Sequence, residues 1–241
     1  MDESVYRLVS LAGFFLVACL AWATGSRQRI NTKTIIGSMA LTWMLGALTF
    51  WVPWSRTVLH WVNNILLSIL TASQKGALFL FGPLAIVPGK ALPDGTPSIG
   101  FILAFQVLPS VIFFSAVISG LYYLGIMQAV VRFFARIFYR LLALSGVESL
   151  SAAANIFVGI ESSLTIRPYL MKVTRSELLT LTTCMMATVA STVMGIYVIA
   201  LHDIFPEIAG HLVSASLISI PCSVIASKLS LPEKEIPETL G

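Results

Sequence analysis

The residues of this sequence that could bind a polar solute or a cation lie close together in the stretch AAANIFVGIESSLTIRPYL, residues 152–170. The stretch places Asn155 and Glu161 in an otherwise apolar surrounding. A carboxylate at bilayer depth costs at least about 2.5–3.5 kcal/mol, so an ionisable residue there is expected to have a function. Amide and carboxylate oxygens can accept hydrogen bonds from a solute or ligate a cation. The sequence predicts binding rather than catalysis, because we find in it no nucleophile–base pair, phosphate loop or cysteine–histidine metal spacing.

The composition is typical of a membrane protein. The chain has 241 residues, of which 57% are hydrophobic and 11% charged, and its mean hydropathy is +0.89. Soluble domains carry about 25% charged residues. Several uncharged windows are about 20 residues long, enough to cross the bilayer as helices. The formal net charge of +4 comes without a basic tail or a lysine-rich run, so no nucleic-acid partner is expected.

These windows predict an all-α integral membrane fold with about five transmembrane helices. The predicted spans cover residues 5–24, 34–52, 99–124, 178–201 and 210–227. The mixed stretch 58–81 is apolar but broken by polar residues, and it predicts interfacial or loosely packed helices. We expect residues 1–125 to form a scaffold of spans and interfacial helices. Residues 126–241 are expected to form a basic interfacial helix, a re-entrant hairpin over about 146–170, and two further spans.

The basic interfacial helix is predicted from the stretch VVRFFARIFYRLLAL. Its Arg132, Arg136 and Arg140 fall at i, i+4 and i+8 and therefore share one helix face. Aromatic and aliphatic residues fill the other faces. This pattern indicates an amphipathic helix on a membrane surface with its arginines towards lipid phosphates. A helix packed on other protein, with a solvated arginine face, fits the same residues.

The positive charges predict that the hairpin enters and leaves the membrane on one side. With the N-terminus outside, the basic loop 27–33 and the arginine stripe lie inside, as the positive-inside rule requires. A full crossing by the hairpin would place Lys172 and Arg175 outside, whereas a re-entrant hairpin returns them to the inside. Gly159 permits a tight turn at its tip. Irregular backbone at such a tip can bind a cation through carbonyls and a solute through N–H groups.

Five motifs in this order resemble the concentrative nucleoside transporter family, over about residues 25–232. They are FGPLA, FILAFQVLPSVIFFSAVISGLYYLGIMQAVVRFFARIF, SGVESLSAAANIFVG, RPYLMKVTRSEL and ATVASTVMGIYV. The resemblance implies nucleoside import driven by sodium or protons, without another cofactor. It implies one half of an inverted-repeat fold in the bacterial cytoplasmic (inner) membrane, with the N-terminus outside. It also implies that the protein contacts membrane lipid and assembles as a homotrimer.

The resemblance covers the first half of the family fold, and three interpretations of this remain open. The sequence is a fragment that lacks the C-terminal half, a second polypeptide supplies that half, or the half-protein assembles with itself. A single half would leave polar hairpin groups facing lipid, so we expect a partner half.

The resemblance also assigns site residues. The family's hairpin tip reads N-x-F-x-G-Q-T-E, whereas this tip is one residue shorter and has Ile160 in place of the Gln-Thr pair. Glu161 corresponds to the family glutamate that helps bind the nucleoside. The predicted substrate-binding residues are Glu161, Ile160, Ser162 and Val193. The predicted sodium ligands are Asn155, Val158, Thr188 and Val189.

Simpler structural roles fit the same residues. Glu161 could bond hydroxyls within the hairpin, Asn155 could cap a broken helix, and Val193 could be ordinary packing. Thr188 could hydrogen-bond its own preceding turn. Two other functions also fit: a gate-like membrane module without nucleoside transport, such as an assembly or sporulation-type component, and a symporter of a different small polar solute. The second follows from Ile160, which makes the tip less polar. An enzyme is not expected.

Overall fold

The computed structural model describes residues 3–26, 31–51, 53–91, 95–201, 204–235 and 237. These residues form helices and loops, with an isolated bridge between Ala91 and Pro97 as the β pairing among them. The predicted all-α class is therefore confirmed for the described part of the chain. The α-helices are α1 Glu3–Thr24, α2 Thr32–Trp51, α3 Pro53–Phe81, α4 Leu103–Gln106, α5 Leu108–Tyr123, α6 Ile126–Leu142, α7 Gly146–Val158, α8 Ser163–Ile166, α9 Arg175–Ala187, α10 Ser191–Leu201 and α11 Ile208–Ser230. Short 3₁₀ turns cover Gly82–Ala85, Gly159–Ser162 and Arg167–Tyr169.

The chain divides into two compact units. The first unit comprises Met1–Leu48, Val131–Thr188 and Ser216–Gly241, and the second comprises Thr49–Val130 and Val189–Ala215. The first unit therefore contains α7, α8 and α9, and the second contains α3, α5 and α10. The predicted division at residue 125 separates a scaffold from a hairpin-containing portion by their expected roles in transport, and it stays a prediction.

Close backbone contacts and a small apolar cluster hold the first unit together. A Cβ added at Gly37 of α2 would collide with the Leu141 carbonyl oxygen of α6, so glycine is what allows these helices to approach. Ser26 N donates to Ser230 O at 2.9 Å, which joins the end of α1 to the end of α11. The buried cluster that supports α7, α8 and α9 consists of Val147, Ile166 and Leu181.

The second unit packs α3, α5 and α10 around a separate apolar cluster. Its buried members are Leu70, Met194, Val198 and Ala209. Ser73 Oγ donates to Ser110 Oγ at 3.2 Å inside this unit and links α3 to α5. Gln106, at the end of α4, holds the loop that follows α3. Its Nε2 donates to Ile86 O at 2.8 Å and to Gly100 O at 2.7 Å.

The helices differ from the predicted spans at three places. Residues 58–81, predicted as interfacial or loosely packed helices, belong to a single helix of 29 residues. The predicted span 99–124 is interrupted at Val107, before Pro109, because a proline cannot donate a helical backbone bond. The predicted span 178–201 is two helices, α9 and α10, separated by residues 188–190.

In the described part of the chain, two stretches are long and apolar enough to cross a membrane. They are Leu103–Tyr123 and Ile208–Ser230, each with a mean hydropathy of 1.8, and the part Val9–Thr24 of α1 is a shorter apolar stretch. Many large apolar side chains are exposed, including Phe79 and Ile112. Exposed apolar surface of this kind suits a hydrocarbon environment. The number of five spans stays a prediction.

Candidate functional site

The predicted hairpin begins with a well-capped helix of small residues. Ser145 Oγ accepts from Glu148 N at 3.2 Å, and Glu148 Oε2 accepts from Ser145 N at 3.1 Å. This reciprocal capping box satisfies two of the backbone donors that every helix N-terminus leaves free. Ala152, Ala153 and Ala154 are buried, so α7 has little side-chain bulk at its contacts. The helix is therefore firmly positioned in the first unit up to the residues predicted to bind ligands.

The helix α7 ends at Val158 and is followed directly by a turn. Gly159 has φ +65°, a conformation that glycine adopts without steric cost. The 3₁₀ turn Gly159–Ser162 follows and contains Ile160, whose side chain is 60% exposed. Glu161 lies in this turn as well, and Val158 is the last residue of α7. The side chains of these two residues lie outside the part of the chain that the structure describes. The polar turn is therefore where the sequence predicts it, and its position relative to a bilayer stays a prediction.

Two of the predicted site residues contact each other. Ser162 Oγ donates to Asn155 Oδ1 at 2.8 Å, and Asn155 Nδ2 lies 3.4 Å from Ser151 Oγ. Asn155 and Ser162 are each 0% exposed. An amide oxygen carries two lone pairs, so Asn155 Oδ1 can accept this bond and still offer a second pair to a ligand. The bond joins α7 to the turn at the tip and holds these two segments together.

Thr188 and Val189 lie at the interruption between α9 and α10. Thr188 adopts extended backbone angles, φ −112° and ψ 150°, and so ends α9. Its hydroxyl donates to Cys184 O at 3.2 Å, which is the structural role expected of a threonine at a helix end. Carbonyls in the last turn of a helix lack intrahelical donors, so an interruption of this kind can present oxygens to a cation.

Val189 and Val193 belong to the second unit. Val189 packs against that unit's apolar cluster, and Val193 is 39% exposed on α10. The structure thus brings Asn155 and Ser162 into contact and places Thr188 and Val189 at a helix break.

The first unit also contains a buried charged network that the sequence patterns do not predict. Lys228 Nζ lies 2.6 Å from Glu148 Oε1 and donates to Ser176 Oγ at 3.0 Å. Glu233 Oε2 lies 3.7 Å from the same ammonium and accepts from Thr174 Oγ1 at 2.8 Å. Thr174 is also the N-cap of α9, in a second capping box. The network therefore ties the N-termini of α7 and α9 to the end of α11.

The sequence carries a signal for this network in its two capping motifs. Ser145 and Thr174 are each followed three residues later by a glutamate, which is the pattern that predicts a capping box. The sequence spacing does not predict that the Lys228 ammonium lies between these two motifs, because Lys228 is distant from both in sequence. In the described part of the chain, no group of three or more His, Cys, Asp or Glu side chains is placed to hold a metal ion.

Two family models match the chain. One, described as "Na+ dependent nucleoside transporter N-terminus", matches residues 12–84, and the other, described as "Gate: Nucleoside recognition", matches residues 104–203. The chain belongs to the concentrative nucleoside transporter family.

Solved structures of the family member CNTnw share its fold. An inward-facing substrate-bound state gives a TM-score of 0.83 at 31% identity, covering 96% of this chain and 55% of that one. An outward-facing state of a doubly substituted variant gives 0.87 at 31% identity, covering 98% and 55%.

Curated relatives of the family are matched over nearly the whole of this chain. Nucleoside permease NupC of Helicobacter pylori is 35% identical over 235 residues, which is 97% of this chain and 53% of the relative. An uncharacterized transporter of Haemophilus influenzae is 34% identical over 227 residues, which is 91% of this chain and 50% of the relative. The chain thus spans about half the length of these relatives and matches the family's N-terminal half. Like other members of this family of membrane transporters, it is an integral membrane protein.

Proposed function

We propose that this chain forms the first half of a cation-coupled nucleoside uptake system in the bacterial cytoplasmic membrane. The observation that carries the proposal is the buried hydrogen bond between Asn155 and Ser162, which holds a polar turn in an apolar chain. The turn lies within residues 104–203, the segment similar to the nucleoside-recognition model. A nucleoside offers hydroxyl and base edges that a carboxylate and backbone groups at such a turn can bind.

The nucleoside is proposed to bind at the hairpin tip through Glu161, Ile160 and Ser162, with Val193 as an apolar contact. The exposure of Ile160 supports this, because the turn that carries it also carries Glu161 and is open on that side. A carboxylate paired with ribose hydroxyls would make charge-assisted hydrogen bonds, which are stronger than neutral ones. The system is proposed to move its substrate unchanged, as a transporter and not an enzyme.

The coupling ion is proposed to be sodium, bound by Asn155, Val158, Thr188 and Val189. Sodium is favoured over a proton because the matching family model describes sodium dependence. The interruption after Ala187 supports this assignment, since unwound backbone in a broken helix can supply carbonyl oxygens to a cation. The spare lone pair of Asn155 Oδ1 would add a side-chain ligand.

The complete site is proposed to need a second half, supplied either by the C-terminal half of the same protein or by another polypeptide. We further propose a homotrimer with the N-terminus outside, and a re-entrant hairpin that moves against a scaffold formed by residues 1–125. Alternating access of this kind is the general mode of inverted-repeat transporters.

Uptake in cells tests the proposal. The complete system is expressed in bacteria that lack nucleoside uptake, and accumulation of labelled uridine and adenosine is measured with and without sodium. Glu161→Gln should reduce uptake at least tenfold, while Glu235→Gln, a matched change at an exposed carboxylate, should leave it intact. Uptake that Glu161→Gln does not change would remove the role assigned to that carboxylate.

The exposed Ile160 favours a second candidate function, the symport of a different small polar solute. A gate-like module without transport is the further alternative. Thermal-shift measurements on the complete system with nucleosides, free bases and sodium would separate these functions. Stabilisation by free bases but not by nucleosides would indicate a different solute, and stabilisation by none of them would indicate a module without transport.

A further inference from the structure

A cavity in the first unit is lined by arginines. It has a volume of about 440 Å³ and lies between α6 and the first turns of α7. Its polar, aromatic and backbone lining comes from Arg132, Arg136, Tyr139, Arg140, Gly146 and Ser149. None of these residues belongs to the site proposed at the hairpin tip.

The cavity concentrates positive charge. Arg136 and Arg140 are exposed, and in the described part of the chain no carboxylate lies within salt-bridge distance of either. With Arg132 they occupy one face of α6, because residues four apart follow each other along a helix. A planar guanidinium binds two oxygens of a phosphate or a carboxylate at once, so neighbouring arginines suit an oxyanion such as phosphate.

Ser149 provides an independent sign of a ligand. The residue is 1% exposed, and its hydroxyl finds no hydrogen-bond partner among the described residues. Buried hydroxyls in folded proteins usually have a hydrogen-bond partner, so this one is free to donate to an acceptor that comes from outside the protein. An anionic oxygen held in this cavity would supply that acceptor.

The surface beside the arginines is apolar. Phe133 is 58% exposed and Leu141 is 50% exposed, each one position after an arginine along α6. The opposite face of α6 is buried in the protein through Val131, Phe138 and Leu142. An exposed apolar strip bordering a cationic strip fits a helix at a bilayer interface, with acyl chains on one strip and headgroups on the other.

We propose that this cavity binds the phosphate of an anionic phospholipid. Arg136 and Arg140 hold the phosphate oxygens, Ser149 Oγ donates to one of them, and Phe133 and Leu141 contact the acyl chains. A lipid bound there bridges α6 and α7, the helix that leads to the hairpin tip. The proposal does not depend on the nature of the transported solute.

Native mass spectrometry of the purified full chain tests this proposal. Retention of phosphatidylglycerol is compared with that of phosphatidylcholine, whose cationic choline the arginines repel. The double variant Arg136→Gln/Arg140→Gln should lose phosphatidylglycerol affinity at least tenfold. Ser149→Ala, which keeps every charge and removes a small group, should lose affinity severalfold. The matched control Lys90→Gln/Arg175→Gln removes two exposed charges outside the cavity and should behave like the unmodified chain.

Several results would overturn the proposal. Equal retention of the two lipids, or equal losses in the double variant and its control, would show that the cavity does not select an anionic headgroup. Saturable binding of inorganic phosphate at micromolar concentration would assign the cavity to a free anion. A changed oligomeric state in the double variant, with lipid retention unchanged, would assign it to a contact between copies of the chain.

Discussion

The hydroxyl of Ser162 donates to Asn155 Oδ1 at 2.8 Å, across the turn that ends α7. Both side chains are withdrawn from solvent, so the bond is made where water cannot replace it. Its partners lie on either side of Gly159, and it therefore fixes how the chain leaves α7. Any ion or solute that binds at the tip meets a turn whose shape this one bond helps to set.

Asn155→Ala should lower the free energy of unfolding by about 1–3 kcal/mol, because it leaves the Ser162 hydroxyl buried without an acceptor. Thermal unfolding of the complete system in detergent measures this loss. Sodium separates the structural role from the proposed ligand role. Asn155→Ala should abolish stabilisation by sodium, whereas Ser162→Ala should keep it. Equal sodium stabilisation in Asn155→Ala and the unmodified protein would argue against Asn155 as a ligand.

Lys228→Met should destabilise the chain by about 3–5 kcal/mol, because it leaves the Glu148 carboxylate buried without its cation. Adding Glu148→Gln to this variant should restore part of the loss, since the uncompensated charge is then gone. Denaturant unfolding of the purified chain measures both effects. Lys90→Met, at an exposed lysine, serves as the control and should change stability little. A double variant no more stable than Lys228→Met would contradict the assigned pairing.

Gly37→Ala should destabilise the packing of α2 on α6, because the added Cβ meets the Leu141 carbonyl oxygen. The same helix contains its own control. A Cβ at Gly46 meets no atom within 4 Å, so Gly46→Ala should instead be neutral or stabilising by up to about 1 kcal/mol. Gly37→Ala should therefore lower the melting temperature, whereas Gly46→Ala should leave it unchanged or raise it. Equal shifts would mean that the close approach at Gly37 does not form in the membrane protein.

Gln106→Leu should loosen the loop between α3 and α4. The change removes the donor shared by Ile86 O and Gly100 O and leaves both carbonyls to find other partners. Lys90 lies in this loop and is exposed, so the rate of tryptic cleavage there reports the loosening. We expect severalfold faster cleavage in Gln106→Leu and an unchanged rate in Gln128→Leu, a change at an exposed glutamine. Unchanged cleavage in both variants would mean that other contacts hold the loop.

Local patterns predicted some features of the fold well. The arginine spacing in residues 132–140 predicts a helix, and α6 covers it. Gly159 was expected to permit a tight turn, and it adopts the positive φ that such a turn requires. In both cases the determining interaction lies within a few residues, so the sequence carries the necessary information.

Other features depend on contacts distant in sequence. The residues between α9 and α10, numbers 188–190, include neither glycine nor proline, and the apolar run gives no sign of an interruption there. In α3 the polar residues suggested a break, yet Leu70, Ser73 and Ala77 form a buried stripe at helical spacing, and exposed Asn64 and Lys75 lie off it. Tertiary packing decided both outcomes, and a pattern within one segment cannot report it.

The buried ion pair between Glu148 and Lys228 also sets an order of events during synthesis. Chains grow at about 5–20 residues per second, so Glu148 leaves the ribosome seconds before its partner exists. Until then its carboxylate has no cation in the network and is best kept in contact with water. The N-terminus of α7 should therefore reach its final packing only after α11 has been synthesised. Ser149→Cys places a thiol beside Glu148 at a position that is buried in the folded chain and keeps the carboxylate. Arrest of translation between α9 and α11 should trap a nascent chain in which this thiol still reacts with aqueous reagents.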